Sequence, residues 1–168
     1  MGWALAALPG FSVYAGPPDS AFDGALNATY RIEKQAFRLI NGRSEVQAAP
    51  GSAIKITTVV FGKPAYGDLN HDGQEDAALF LVHDPGGSGT FYYVAAAIAA
   101  GGSYRGTNAV FLGDRVSPRT IQIRDGVIVA EFDDRSPDQP MAAAPSISKT
   151  MYLRLNEEVL TAIKFPIQ

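Results

Sequence analysis

Apolar and polar side chains alternate with a period of two over several short stretches of the chain. Ile121 and Ile123 are interleaved with Gln122 and Arg124, and Ile128, Ala130 and Phe132 share one face. Ile54, Ile56, Thr58 and Val60 stand opposite Lys55, Thr57, Val59 and Phe61. Met151, Leu153 and Leu155 alternate with Tyr152 and Arg154; after a turn at 156–158, Val159, Thr161, Ile163 and Phe165 fall on one face. Successive side chains of a strand point to opposite faces, so each stretch predicts a strand. Asn41-Gly42 and Asp125-Gly126 readily take the positive φ angles of two-residue turns. They predict hairpins joining residues 35–40 to 43–47 and 119–124 to 127–132.

Residues 90–100 carry two signals. Phe91-Tyr92-Tyr93-Val94 favours a strand, whereas the alanines that follow are good helix material. The expectation is a long buried strand whose small residues let another layer approach closely. Residues 133–146 contain three prolines and read as a surface loop. Short strands separated by turns predict an all-β fold, an antiparallel sheet meander arranged as a sandwich or a partly closed barrel, with little helix. The absence of clear internal repeats argues against a propeller.

Composition narrows the function. The 168 residues are 46% hydrophobic and 18% charged, the profile of a globular domain. A net charge of −3 and scattered Lys and Arg provide no basic face for nucleic acid. Cysteine is absent, which excludes disulfides, thiol catalysis and thiolate metal sites. From Trp3 to Ala15 the chain is uncharged and mostly apolar, and Val13-Tyr14-Ala15 has small residues where a signal peptidase reads. Residues 1–17 are therefore expected to be a signal-peptide remnant or a loose N-terminus, ahead of a single β domain at 18–168. No Lys or Arg precedes Arg31, so the basic start of a secretory signal is missing. The apolar stretch is shorter than the roughly 20 residues of a membrane span, and none occurs later.

The sharpest chemistry is Asp68-Leu69-Asn70-His71-Asp72-Gly73-Gln74-Glu75-Asp76. Oxygen-bearing side chains occupy loop positions one, three, five and nine, with glycine at six. Alternate residues of a tightly curled loop converge on one point, and Gly73 permits the sharp turn. Asp68, Asn70, Asp72 and Asp76, with the main-chain carbonyl of Gln74, make a hard oxygen set suited to Ca²⁺. Position twelve is Leu79, not the bidentate Glu of a helix–loop–helix site, and the following run, 77–82, predicts a buried strand. The match is to shorter acidic loops that lead into strands, as in FG-GAP-type repeats. The competing reading is a polar hairpin whose Asp and Asn side chains cap turns.

This loop and several other segments resemble the signature of a family of uncharacterised bacterial exported proteins. The segments are Asn27-Ala28-Thr29-Tyr30, Leu39-Ile40-Asn41-Gly42, Gly67-Asp68-Leu69-Asn70, the glycine-rich run Gly86-Gly87-Ser88-Gly89 with Thr90-Phe91-Tyr92-Tyr93, and Leu112-Gly113-Asp114-Arg115. The resemblance covers about Asn27 to Leu155. It implies export and the metal loop, and implies no reaction. Members commonly begin with a signal peptide, from which this chain departs by lacking the basic start.

Other candidates are weaker. Gly86-Gly87-Ser88-Gly89 lacks the Lys-Ser/Thr ending of a phosphate loop and the second glycine of a nucleophile elbow. Ser146-Ile147-Ser148-Lys149 fits an S-x-x-K pattern without its companion motifs. His71 is expected to be solvated, His83 to bond backbone at a strand end, and Asp114-Arg115 to form a local ion pair. Asp133 and Asp134 are either a weak second cation site or simply solvated. The leading expectation is an exported, periplasmic or extracellular, calcium-stabilised module that binds or supports an envelope or extracellular partner without catalysis. The alternative is a cell-envelope or extracellular hydrolase using His83, Ser88 and Asp114, which requires those three side chains to share one concave pocket.

Overall fold

The computed structural model describes residues 24–164. The signal-like segment at 1–17, residues 18–23 and Phe165 lie outside the described residues. Twelve strands form an all-β, antiparallel fold, with one helical turn at residues 24–26. A hairpin of β1 (Thr29–Ile32) and β2 (Gln35–Arg38) forms a small two-stranded sheet. A six-stranded sheet follows in chain order through β3 (Arg43–Gln47), β4 (Lys55–Gly67), β5 (Asp76–Asp84), β6 (Phe91–Ala100) and β7 (Ser103–Gly106). β8 (Val110–Asp114) pairs with the first half of β6, on the edge that β7 occupies along the second half. The last sheet is a meander of β9 (Ser117–Arg124), β10 (Val127–Asp134), β11 (Ile147–Asn156) and β12 (Val159–Ile163).

The sheets stack as three layers, with β5 and β6 in the middle. Ala78, Phe80, Val94, Ala96 and Ile98 face the four-stranded sheet and pack with Ile128, Ala130, Phe132, Leu153 and Leu160. The opposite face of the same two strands carries Ala77, Leu79, Leu81, Tyr93, Ala95 and Ala97, which pack under Tyr30, Ile32, Phe37 and Leu39. Burial on both faces explains why β5 reads as an almost continuous apolar run rather than an alternating one. It also explains the alanines of β6: residues 95–97 are fully buried, and small side chains allow both neighbouring layers to close on the strand. Strand geometry therefore overrides the helix propensity of that stretch.

The Asp125-Gly126 hairpin forms as expected, with φ of 50° and 71° and Arg124 opposite Val127. Asn41-Gly42 also turns, at 51° and 79°, but closes only the Ile40–Arg43 bridge. β2 pairs with β1 instead, because Phe37 and Leu39 bury against the central sheet, while β3 pairs with β4. β4 runs past Phe61 to Gly67 through a bulge. At Gly67 a Cβ would come within 2.8 Å of Ile123 Cγ2, so glycine lets β4 pass tightly over β9. In β12, Leu160 enters the core and Val159 is exposed. The proline-rich connection, residues 135–146, is held by Arg135, whose guanidinium donates to the carbonyls of Asp114 (3.2 Å), Arg115 (2.9 Å) and Ala143. No helix among the described residues is long and apolar enough to cross a membrane.

One residue, through its side chain and its backbone, joins all three layers. Asn108 Nδ2 donates to the Leu160 carbonyl and its Oδ1 accepts from the Leu160 amide, both at 2.8 Å, imitating a backbone rung to β12. Its own backbone forms a parallel bridge with Arg31 of β1. Neighbouring Thr107 ties the same turn to β6, its hydroxyl accepting from the Ala96 amide at 3.0 Å. Asn108→Ala leaves both Leu160 backbone groups without this partner, and an unmet buried group costs about 1–3 kcal/mol. Chemical denaturation should show a loss of at least that size; an unchanged midpoint would show that the rung contributes nothing.

Candidate functional site

The acidic loop lies between β4 and β5, where the chain crosses one end of the central layer. His71 and Gly73 take positive φ, 62° and 81°, and curl the segment on itself. The curl is fixed by side-chain oxygens accepting from backbone amides. Asp68 accepts from Asp72 at 3.2 Å and Gly73 at 2.9 Å; Asn70 Oδ1 accepts from Asp72 at 3.1 Å; Asp72 Oδ1 accepts from Gln74 at 2.8 Å. The amide groups of Asn70 and Gln74 also donate to Asp72 Oδ2, at 3.0 and 3.1 Å. The backbone donors, Gly73 first, hold the Asp68 carboxyl below the usual carboxylate range.

Asp76 has a different position from its loop partners. It is fully buried at the start of β5, and its two oxygens accept from the Leu69 and Ala99 amides, each at 2.9 Å. The carboxylate thus closes the loop and extends the contact between β5 and β6. Burial pushes its pKa up, the two amides oppose that, and the charges of Asp72 and Asp68 push it further up. Tyr104 adds a second tie by donating to the Glu75 carbonyl at 2.9 Å. Among the described residues, no three His, Asp or Glu side chains form a ligating group. Each carboxylate of the loop nevertheless keeps spare acceptor capacity beyond its amide contacts, since an ionised carboxylate offers about four lone-pair sites.

His83 lies at the other end of β5. It is opposite Thr58 on β4 and Phe91 on β6, so the three side chains form one rung on the hairpin-facing side. Its Nδ1 lies 2.9 Å from the buried Thr58 hydroxyl, which replaces the backbone partner expected from sequence. The ring packs edge-on against Phe37 at 5.0 Å and Tyr93 at 6.2 Å, and lines a cleft of about 270 Å³. Burial lowers its pKa, while Glu33 and Asp84 act in the opposite sense. The imidazole is therefore neutral at pH 7.

The three residues of the hydrolase alternative do not share this cleft. Asp114 is one strand beyond Phe91, roughly 10 Å from His83 by strand spacing. Its carboxylate accepts from the Thr90 amide at 3.0 Å and faces Arg115 at 3.6 Å, the ion pair expected from sequence. Ser88 is exposed in the loop between β5 and β6. Ser148 and Lys149 lie on β11 and bond Asp133 and Asp134, at 2.8 and 2.6 Å, with Arg119 also on Asp133 at 3.4 Å. Cross-strand ion pairs thus occupy both aspartates. The cleft around His83 was the feature hardest to find from sequence, because its rings come from three separate strands.

Two measurements separate scaffold from site. In chelator, Asp76→Ala should destabilise the fold by about 1–3 kcal/mol, since two amides lose their acceptor. Asp72→Ala, at an exposed position, should cost less than 1 kcal/mol under the same conditions; equal losses would contradict the division. His83 binds its proton less readily folded than unfolded, so its contribution is present above the ordinary histidine value of 6.5 and is lost as pH falls below it. Unfolding free energy measured from pH 7.5 to 5 should fall less in His83→Gln than in the parent. An identical slope would assign the acid sensitivity elsewhere. Compared with known protein families, curated proteins and solved structures, the chain matches none.

Proposed function

We propose that the chain is an exported, periplasmic or extracellular module that binds or supports a partner without catalysis and is stabilised by one Ca²⁺ at residues 68–76. The observation that carries this reading is the electrostatics of the loop. Burial raises the pKa of Asp76 and the charges of Asp72 and Asp68 raise it further, so a cation bound beside it would favour its ionised form. Asp68, Asn70, Asp72 and Asp76, with the Gln74 carbonyl, supply oxygen donors only, which suits a hard cation. Because Asp76 also holds Ala99 of β6, a bound ion would stabilise the central layer and not only the loop.

Export rests on the uncharged apolar stretch from Trp3 to Ala15 and on the resemblance to exported proteins with a single FG-GAP-like loop. The hydrolase alternative gains nothing from the arrangement of His83, Ser88 and Asp114, because neither Ser88 nor Asp114 lines the cleft that His83 enters. Calorimetric titration of the chelator-treated protein should show one Ca²⁺ site of micromolar to millimolar affinity. At a Ca²⁺ concentration about 100 times the dissociation constant, stability should rise by about 2.7 kcal/mol. Asp72→Ala should abolish both signals. Neither heat nor a melting shift in the parent would reduce the segment to an acidic turn.

A further inference from the structure

A second cleft opens where the acidic loop meets the ends of two hairpins of the four-stranded sheet. Its volume is about 490 Å³, within the range of small-molecule sites. Leu69 of the loop and Leu155 of β11 supply apolar wall, and His71 packs over the β9–β10 turn. That packing requires glycine, since a Cβ on Gly126 would come within 2.8 Å of His71 Nε2. Three charged side chains line the same cleft: Asp125 from the β9–β10 turn, Arg154 near the end of β11, and Glu157 from the β11–β12 turn. Both acidic residues take positive φ, 50° and 55°, as residues of tight hairpin turns do.

Elsewhere on the surface opposite charges pair: Arg105 with Glu158, Arg119 with Asp133, and Lys149 with Asp134. Among the described residues, the side chains of Asp125, Arg154 and Glu157 form no such pair, although one cleft holds all three. Their charged neighbours are engaged elsewhere, Arg124 with Gln122 and Glu158 with Arg105. The register keeps the charges apart. Val127 stands between Arg124 and Arg154, so those two are about 10 Å apart, and Asp125, the next residue, starts at a similar distance. We infer that this cleft binds a short peptide with both termini free, its carboxylate on Arg154 and its ammonium on Asp125 and Glu157. A guanidinium takes a carboxylate in a planar two-point contact, and carboxylates accept from an ammonium. Two extended residues span about 7 Å, which bridges the gap better than the adjacent charges of a single amino acid. The peptide's side chains would lie against Leu69 and Leu155. A simple anion would meet two carboxylates beside one cation, and an organic cation would face Arg154. A metal ion would find no group of three His, Asp or Glu side chains among the described residues. The three charged groups lie outside residues 68–76, so the assignment does not rest on calcium.

An amide-shift NMR titration with L-alanyl-L-leucine tests the assignment. Two capped forms serve as controls: N-acetyl-L-alanyl-L-leucine lacks the ammonium, and L-alanyl-L-leucinamide lacks the carboxylate. The free dipeptide should saturate, shift the Gly126 and Leu155 amides, and bind about fivefold or more tightly than either capped form or free leucine, the upper range for exposed ion pairs. Arg154→Gln should remove the preference for the free carboxylate. Asp125→Asn combined with Glu157→Gln should remove the preference for the free ammonium, and asparagine tolerates the positive φ of the turn. All three positions are exposed, so a native circular-dichroism spectrum should accompany each variant. No saturable binding, equal affinity for the capped forms, or shifts confined to other surfaces would overturn the inference. Free leucine binding as tightly would assign the cleft to single amino acids and overturn it equally. Running the titrations with Ca²⁺ and with chelator separates the two readings: loss of peptide binding with intact Ca²⁺ binding refutes only this one.

Discussion

The structure depends on two strands being covered on both faces. β5 and β6 cannot satisfy one core and one solvent face, as the outer strands do, because a sheet lies on one side and a hairpin on the other. Their sequences respond in two ways. β5 places apolar side chains at nearly every position, and β6 places alanine at three consecutive fully buried positions, 95–97. A larger side chain at Ala95 or Ala96 would have to displace a packed layer, and cores tolerate added methylenes poorly. Close packing also makes β5 a stiff beam. The acidic loop enters at Asp76 and the aromatic cleft is completed at His83, seven residues or about 23 Å along it.

Several polar groups admitted into this interior tie neighbouring segments together. Asp76 binds the amides of Leu69 and Ala99, so a loop outside the sheet is tied to the far strand of the central pair. Thr107 and Asn108 substitute side-chain groups for backbone ones where β7 gives way to β8. Thr58 and His83 satisfy each other across β4 and β5. Buried polar atoms without partners are costly, whereas paired ones specify a register that apolar contacts alone leave open. The meanders have few long-range topological constraints, and these contacts supply them.

The two candidate sites differ in how they are built. The acidic loop is local: nine consecutive residues, closed by hydrogen bonds between near neighbours, carry all its donors. The charged cleft beside it is assembled from that loop, two turns and β11, far apart in the chain, and Arg154 reaches it only because β10 and β11 pair side by side. A local site can read an ion whose size matches the loop. A composite site reads a ligand whose shape spans elements, and it forms only when the layers have docked.

The chain by itself determined the strands, the Asp125-Gly126 hairpin, the acidic loop and the all-β class, because each arises from residues close in sequence. Period two, turn dipeptides and alternate oxygen donors are short-range patterns, and strand geometry translates them directly. Only the tertiary structure decided that β2 pairs with β1 although Asn41-Gly42 directs it toward β3, that Leu160 rather than Val159 enters the core, and that Asp76 is a buried strut. It also brought Phe37, His83, Phe91 and Tyr93 around one cleft and kept Ser88 and Asp114 away from it. The physical reason is common to these cases. Each depends on which face another layer covers, and burial of apolar surface between distant segments outweighs the local preference of a turn or an alternating run.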